Sequence, residues 1–296
     1  MALRVGTRGS PLALIQAESV AEALRVGGIE VEIVTVTTLG DRGAAALDKS
    51  RWVSELERAL LDHEIDVAVH SAKDVPTELP PGLEIVAVPA RADARDAFCG
   101  AAGLSALAEG ARVGTASLRR TAQLRAARPD LEVVELRGNV DTRLRKLAAG
   151  EADALVLALA GLDRLGRADA VSAIADELVP AAGQGALAIE GRVGELAADS
   201  RLDAARDLEA TACLTAERTL VRALGASCHT PVGAHARPRA DGLLTLTAWA
   251  GLPDGSEWLR DEVTGPADEV GLRCAERMLA AGAPDLLERA ERQVAA

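Results

Sequence analysis

The sequence predicts an α/β protein with two related units built on mostly parallel sheets, followed by a smaller α+β domain. Three observations lead to this fold class. Strand patterns alternate with helical patterns through most of the chain, one strand–turn–helix pattern occurs twice, and the final part contains short strands joined by tight turns. A chain of 296 residues is also long enough for two or three domains.

The first copy of the repeat opens with a strand that leads into a helix. Ser10 is typical of a helix N-cap and Pro11 of the first helical position, and apolar residues then recur at helical spacing. A segment rich in Val, Ile and Thr follows and predicts a second strand. The predicted elements are a strand at 3–7, a helix from Pro11, a strand at 30–38, a helix at 52–62 and a strand at 64–69.

The second copy repeats this order, and its segment 151–156 echoes 64–69. Parallel sheets bind ligands at the carboxyl ends of their strands, so both Gly-Thr turns, at Gly6 and at Gly114, are expected at such an edge. The helix start after each turn attracts anions, although an ordinary capped turn explains either copy alone. The predicted elements are a strand and turn at 112–117, a helix at 118–127, a strand at 131–136, a helix at 139–149 and a strand at 151–156.

The last part of the chain has a different pattern. A long helical stretch at 204–224 is stopped by Gly225, and Asp-Gly turns then separate three short strands, which predicts an antiparallel meander. Two helices beginning near Pro266 and Pro284 close the chain. The predicted strands lie at 232–237, 243–250 and 257–263.

Composition narrows the class of function. A formal net charge of −12 argues against nucleic-acid or anionic-membrane partners, and 1% aromatic residues leave no platform for base stacking. No early signal-like stretch and no membrane-length apolar run is present. The 4 cysteines and 4 histidines lack metal-site spacing, so we expect free thiols, no metal and a cytoplasmic location.

Arginines cluster after the predicted strands in the middle of this acidic chain. A guanidinium group donates two parallel hydrogen bonds and therefore suits carboxylates. The alternative, a solvated helix surface, is harder to apply to Arg119 and Arg120, because cations are disfavoured at a helix start. The pattern predicts a site for a small polyanion. The candidates are Arg119, Arg120, Arg137, Arg143 and Arg164.

Two further segments carry reactive side chains. Lys73 and Asp74 follow an apolar strand and precede Pro76, so they suit an anion clamp and an acid–base group, or else a plain surface turn. Cys228 lies in a loop of small residues, where a thiol is accessible for nucleophilic chemistry or attachment; a buried, inert thiol is the alternative.

Together these segments resemble the porphobilinogen deaminase (hydroxymethylbilane synthase) family. The resemblance follows the family order from near residue 4 to near residue 233, and the hairpin region beyond it agrees less strongly. The matching stretches are Thr7-Arg8-Gly9-Ser10-Pro11-Leu12-Ala13, Val69-His70-Ser71-Ala72-Lys73-Asp74-Val75-Pro76, Arg95-Asp96-Ala97-Phe98, Gly114-Thr115-Ala116-Ser117-Leu118-Arg119-Arg120, Leu136-Arg137-Gly138-Asn139-Val140-Asp141-Thr142-Arg143-Leu144, Ala160-Gly161-Leu162-Asp163-Arg164-Leu165-Gly166, Pro180-Ala181-Ala182-Gly183-Gln184-Gly185-Ala186 and the Cys228 loop.

The resemblance implies a covalent dipyrromethane cofactor, joined by a thioether to Cys228. It implies an enzyme that adds four porphobilinogen units head to tail, loses ammonia each time and releases hydroxymethylbilane by hydrolysis. Asp74 matches the family aspartate that contacts pyrrole nitrogens and assists deamination and coupling. The matching cofactor-binding positions are Ser71, Lys73, Thr115, Ser117, Arg119, Arg120, Arg143 and Arg164, and the substrate-binding ones are Arg8, Ser10, Gln16 and Arg137.

The implied fold has two domains like type II periplasmic binding proteins and a small α+β third domain, with a monomer expected. Hinges near 88–92 and 178–186 make the first domain discontinuous. One region departs from the family pattern: a mobile-loop segment, in which Lys49 and Trp52 match a lysine and a phenylalanine, is shorter than in some relatives. The implied domains are 1–90 with 184–204, 91–183, and 205–296, the last carrying the cysteine loop.

Two other functions fit the same architecture. One is a two-lobed anion-binding protein such as a solute receptor, and the other is an inactive paralogue. The lack of an export signal and the cysteine on an extra domain favour the enzyme over the receptor, since function resides in the site and not in the fold. Only the altered segment around Lys49 and Trp52 points to the paralogue.

Overall fold

The computed structural model describes residues 2–37, 53–196, 199–227 and 230–295. The chain divides into two compact units, of which the first combines Met1–Ala92 with Gly185–Leu214 and the second combines Asp93–Gln184 with Thr215–Ala296. The first unit is therefore discontinuous in sequence. The second contains two sheets, and the division into three domains stays a prediction.

Strands and helices alternate through both units. The elements are β1 (Leu3–Arg8), α1 (Pro11–Val26), β2 (Val31–Val36), α2 (Ser54–Leu61), β3 (Val67–Ser71), β4 (Leu83–Ala87), β5 (Asp96–Cys99), β6 (Arg112–Gly114), α3 (Leu118–Ala127), β7 (Glu132–Val134), α4 (Val140–Ala148), β8 (Ala154–Ala158), α5 (Leu159–Arg164), β9 (Ala173–Ala175), β10 (Leu187–Arg192), α6 (Leu208–Ala223), β11 (Val232–Pro238), β12 (Leu244–Gly251), β13 (Trp258–Gly265), α7 (Val270–Ala280) and α8 (Ala283–Ala295).

The two large sheets have the same topology. The first has the order β2-β1-β3-β10-β4 and the second β7-β6-β8-β5-β9. In each, the first three strands are parallel, and the fourth is antiparallel to both of its neighbours. The fourth strand of the first sheet is β10, which follows the strands of the second sheet in the chain, and that of the second sheet is β5, which directly precedes β6. This common order confirms the internal repeat and the mostly parallel sheets that the sequence predicts.

Equivalent glycines lie in the second strand of each sheet, beside the central strand. Gly6 in β1 pairs with Ala68, and Gly114 in β6 pairs with Leu155. A Cβ atom on Gly6 would overlap Ile65, and one on Gly114 would lie 2.5 Å from Leu136 Cδ1. These glycines therefore allow apolar side chains to pack directly on the strand backbone, beside the ends where ligands bind.

Side-chain caps begin three helices, and the one at Ser10 confirms the sequence prediction. Ser10 Oγ accepts a hydrogen bond from the backbone of Ala13, and Pro11 opens α1. Ser117 caps α3, and Asn139 caps α4 by accepting from Thr142 N at 2.9 Å. These side chains satisfy backbone N–H groups that have no partner within the helix, so they determine where each helix begins.

The helix predicted from residue 204 begins later, and that part of the prediction was wrong. A 3₁₀ helix spans Ser200–Ala205, and α6 starts at Leu208. Asp207 Oδ1 accepts a hydrogen bond from Ala210 N at 2.8 Å, which is the geometry of an N-cap. The apolar periodicity of the sequence continues across both segments. The cap at Asp207 nevertheless makes α6 a separate helix that begins at Leu208.

The predicted antiparallel meander is confirmed as β11-β12-β13. This sheet is joined to the α3 region of the same unit, because Trp249 packs against Ala122 and Val179, and Ala234 N donates to Pro180 O at 2.8 Å. The side chains of Cys99, Cys213 and Cys274 are buried. Among the described helices, none has the length and apolarity needed to cross a membrane.

Candidate functional site

In the first unit, the predicted site residues follow the carboxyl ends of the parallel strands β1 and β3. Arg8 ends β1, and Ser71 ends β3. A 3₁₀ turn, Ala72–Asp74, continues from β3 and presents Lys73 and Asp74 as half-buried side chains. The turn is held by the buried side chain of Ala72 and by its backbone N–H, which donates to Ala186 O at 3.0 Å.

Two more predicted residues lie on the turn and helix after β1. Ser10 is the N-cap of α1, and Gln16 lies within the helix and is buried. The Gln16 Nε2 atom is buried and has no hydrogen-bond partner in the described part of the chain. A buried donor of this kind is costly unless a ligand or water accepts from it, so Gln16 is suited to binding an acceptor group.

In the second unit, Thr115 and Ser117 occupy the turn between β6 and α3. Thr115 is buried, its N–H donates to Val134 O at 3.0 Å, and its hydroxyl accepts from Ser117 N at 3.2 Å. The turn therefore has a defined shape before any ligand binds. Backbone N–H groups at such a helix start favour an anion.

Arg119 and Arg120 are both buried, and both bind one carboxylate, Asp96 of β5. The Arg119 Nη2 to Asp96 Oδ2 and Arg120 Nη2 to Asp96 Oδ1 distances are each 2.8 Å. Gln184 adds a third contact, with Nε2 2.7 Å from Asp96 Oδ1. Burial acts to raise the pKa of Asp96, but the two guanidinium groups and the hydrogen bonds from Arg120 and Gln184 outweigh it and hold that pKa well below its usual range.

This carboxylate is the main feature of the site that the sequence did not indicate. We call Asp96, Arg119, Arg120 and Gln184 the Asp96 cluster. It carries two guanidinium groups and one carboxylate, so one positive charge stays uncompensated within it. Asp96 lies within a matched motif, and a charged residue at the start of an apolar strand was the available signal.

Arg143 adds a half-buried guanidinium group. Its Nε atom is buried and makes no hydrogen bond to any residue that the structure describes. Burial and the charge of Arg120 lower the pKa of Arg143. Burial also lowers the pKa of Arg164, against the opposing charge of Asp163. The buried Nε of Arg143 is therefore suited to donating to a carboxylate ligand.

Arg137 differs from the other arginines because it is exposed, and its Nε lies 2.7 Å from Glu135 Oε1. Cys228, Lys49 and Trp52 lie outside the described residues. The flanks of the cysteine are described: Thr230 Oγ1 donates to Ser227 O at 2.7 Å, and Ser227 Oγ donates to Glu291 of α8 at 2.9 Å. The two ends of the cysteine loop are therefore tied together and to the last helix.

Two family models match the chain. Residues 3–200 match "Porphobilinogen deaminase, dipyromethane cofactor binding domain", and residues 211–280 match "Porphobilinogen deaminase, C-terminal domain". Together these matches include all the candidate site residues, with Cys228 inside the second.

Full-length relatives agree with these matches. The chain is 46% identical to a porphobilinogen deaminase of Deinococcus radiodurans over 96% of this chain and 97% of the relative. It is 47% identical to that of Thermus thermophilus, with 96% and 97% covered, and 48% identical to that of Rubrobacter xylanophilus, with 96% of each covered.

Among solved structures, the methionine-binding protein MetQ is 16% identical, with a TM-score of 0.46 and coverage of 71% of this chain and 92% of MetQ. The BvgS periplasmic VFT2 domain of Bordetella pertussis is 20% identical, with a TM-score of 0.41 and coverage of 69% and 86%.

Proposed function

The chain belongs to the porphobilinogen deaminase family, and from that premise we propose which of its residues carry out the reaction. Membership makes it a transferase of tetrapyrrole biosynthesis with a dipyrromethane cofactor-binding domain. The proposed reaction is that of a hydroxymethylbilane synthase. Four porphobilinogen molecules are joined head to tail with loss of ammonia at each step, and hydrolysis releases the linear product.

The observation that carries this proposal is the buried positive charge of the second unit. The Asp96 cluster has one guanidinium more than it has carboxylates, and Arg143 adds a buried Nε without a partner in the described residues. Burying such charges is costly without a counter-charge. Pyrroles that carry acetate and propionate groups supply that counter-charge, in a chain whose net charge is −12.

The residues present therefore fit a dipyrromethane, with Cys228 as its attachment point. When bound, this group supplies a pyrrole ring that stays on the enzyme and accepts the first substrate. The turn residues bind carboxylate oxygens through hydroxyl and backbone donors, and the arginines bind them through their guanidinium forks. The proposed cofactor-binding residues are Ser71, Lys73, Thr115, Ser117, Arg119, Arg120, Arg143 and Arg164.

Asp74 is the proposed catalytic group. Departure of ammonia leaves positive charge on the pyrrole that lost it, and a half-buried carboxylate at the end of a strand stabilises this charge and accepts a proton from a pyrrole nitrogen. Substrate carboxylates bind to residues at the ends of β1 and β7. These are Arg8, Ser10, Gln16 and Arg137, and the buried Nε2 of Gln16 has no hydrogen-bond partner in the described part of the chain.

Intact-mass measurement after incubation with porphobilinogen tests this function. The wild-type chain is expected to gain the mass of a dipyrromethane, and Cys228→Ser is expected to gain none. Cys213→Ser, which changes a buried thiol of α6, is the matched control and should gain the same mass as wild type. A wild-type chain that stays unmodified contradicts the proposal.

The proposal includes a monomeric state and a cytoplasmic location. Light scattering of the purified chain tests the first, and cell fractionation tests the second. Its small-molecule partners are porphobilinogen and the growing pyrrole chain, and neither nucleic acid nor a membrane is part of it.

A further inference from the structure

Helix α6 carries a fully buried carboxylate that joins two other segments of the second unit. Glu217 has 0% exposure. Its Oε2 accepts from Gly183 N and its Oε1 accepts from Ala236 N, each at 2.7 Å. Gly183 belongs to the segment between β9 and β10, and Ala236 lies in β11. One side chain therefore binds the backbone of both.

The first of these contacts continues into the Asp96 cluster. Gln184 follows Gly183, and its Nε2 donates to Asp96 Oδ1 and to Ala94 O, each at 2.7 Å. The Gln184 Oε1 lies 3.4 Å from Arg119 Nη2. Gly183 has a φ of 73°, a conformation that residues other than glycine rarely adopt. Glycine at this position therefore allows the backbone conformation in which the Gly183 N–H donates to Glu217.

The second contact continues towards the cysteine loop. β11 begins two residues after Thr230, whose hydroxyl donates to Ser227 O at 2.7 Å, directly before Cys228. The same strand rests on the 179–183 segment at two further points. Ala234 N donates to Pro180 O at 2.8 Å, and a Cβ atom on Gly233 would lie 2.7 Å from Val179 O.

We propose that Glu217 is a positioning residue that fixes the position of the sheet following Cys228 relative to the Asp96 cluster. The attachment point at Cys228 and the binding groups of Arg119 and Arg120 then lie at a fixed distance and orientation for the ligand that contacts all three. This inference rests on the proposed function, because it takes Cys228 as the attachment point. A carboxylate suits the role because its two oxygens accept from two N–H groups at once, whereas an amide places its own donors against one of them.

The test compares Glu217→Gln with Glu209→Gln, which changes an exposed residue in the first turn of the same helix. Each chain is prepared without cofactor, and intact mass is followed over time after porphobilinogen is added. We expect Glu217→Gln to gain the dipyrromethane about tenfold more slowly than wild type, because small displacements of reacting groups have effects of this size. Glu209→Gln should match wild type.

A second measurement separates positioning from loss of folding. Alkylation of Cys228 by iodoacetamide, with the alkylated peptide quantified, should proceed at the wild-type rate in Glu217→Gln, since the thiol itself is unchanged. Gln184→Met breaks the next link of the same connection and should also load slowly. The double variant should be no slower than the slower single variant, because both act through one path. Gln184→Met carries the test if Glu217→Gln does not fold.

The outcomes are distinguishable. Wild-type loading in both Glu217→Gln and Gln184→Met, beside normal loading of wild type, contradicts the positioning role and leaves the proposed function intact. Slow loading together with equally slow alkylation also contradicts it, because the loop itself would then have changed. A wild-type chain that never gains the cofactor contradicts the proposed function and this inference with it.

Discussion

His70 Nε2 lies 3.0 Å from Glu190 Oε2 across the adjacent antiparallel strands β3 and β10. His70 is 5% exposed and Glu190 is 0% exposed. Glu57 of α2 interacts electrostatically with both side chains. Of these three titratable residues, His70 lies four positions before Asp74 along the chain.

Glu57→Gln should make the free energy of unfolding less dependent on pH. Burial and the charge of Glu190 raise the pKa of Glu57 from 4.5 to about 7, against the opposing effect of His70. A carboxyl group with a raised pKa contributes stability that is fully present below pH 4.5 and is lost as the pH rises through about 7. Urea unfolding at a series of pH values measures this.

At pH 8 the variant is expected to be more stable than wild type by on the order of 1–3 kcal/mol, and at the acidic end the two should converge. Glu209→Gln, on an exposed position, serves as the control. A constant difference across the range would contradict the raised pKa.

Asp96→Asn should destabilise the second unit strongly. The substitution leaves Arg119 and Arg120 buried without their shared carboxylate, and breaking a buried ion pair from one side costs about 3–5 kcal/mol. Denaturant unfolding measures the loss. Asp130→Asn removes an exposed partner of Arg128 and should stay close to wild type. Equal losses of stability in the two variants would contradict the expectation that the buried carboxylate contributes more to stability than the exposed one.

Asp74→Asn should remove turnover while leaving the chain folded. The amide keeps the shape of the side chain but neither stabilises positive charge nor accepts a proton, so kcat should fall by about 10² to 10⁴. Product formation and circular dichroism are measured together. Asp169→Asn, which changes an exposed aspartate of the second unit, should keep wild-type turnover. Near-normal turnover of Asp74→Asn excludes its catalytic role.

Arg143→Met should separate stability from ligand binding. The buried Nε of this half-buried side chain has no hydrogen-bond partner among the described residues, so its replacement should leave the cofactor-free chain as stable as wild type or more so. Cofactor loading should slow by about tenfold or more, since one charge-assisted contact is lost. Arg145→Met on the exposed side of α4 is the control. Thermal unfolding and intact mass give the two readouts, and a large fall in stability would contradict the expectation.

Much of the fold was predictable because its signals are local. The caps at Ser10, Ser117 and Asn139 act on backbone groups within three residues, and the strands alternate over short distances. Even the misplaced start of α6 had a local cause, the cap at Asp207. The repeat was predictable because one strand–turn–helix pattern occurs twice in the sequence. The common order of the two sheets confirms it.

The partners of the site residues were not predictable in this way. Asp96 and Gln184 are 88 positions apart, and Gly183 and Glu217 are 34 apart. No periodicity joins such residues, because the contact exists only when the sheets have formed. The sequence therefore indicated that Arg119 and Arg120 were unusual but not that they share one carboxylate.

By itself the sequence determined the α/β elements, their duplication, the third sheet and the family, since each depends on residue types at short spacing or on motif order. The tertiary structure alone decided which charges are buried and with what partner. Burial and neighbouring charges determine the raised pKa of Glu57 and the low pKa of Asp96. The folded geometry determines the two hydrogen bonds that Glu217 accepts. Desolvation and Coulomb interactions depend on distance in space, and distance along the chain does not specify it.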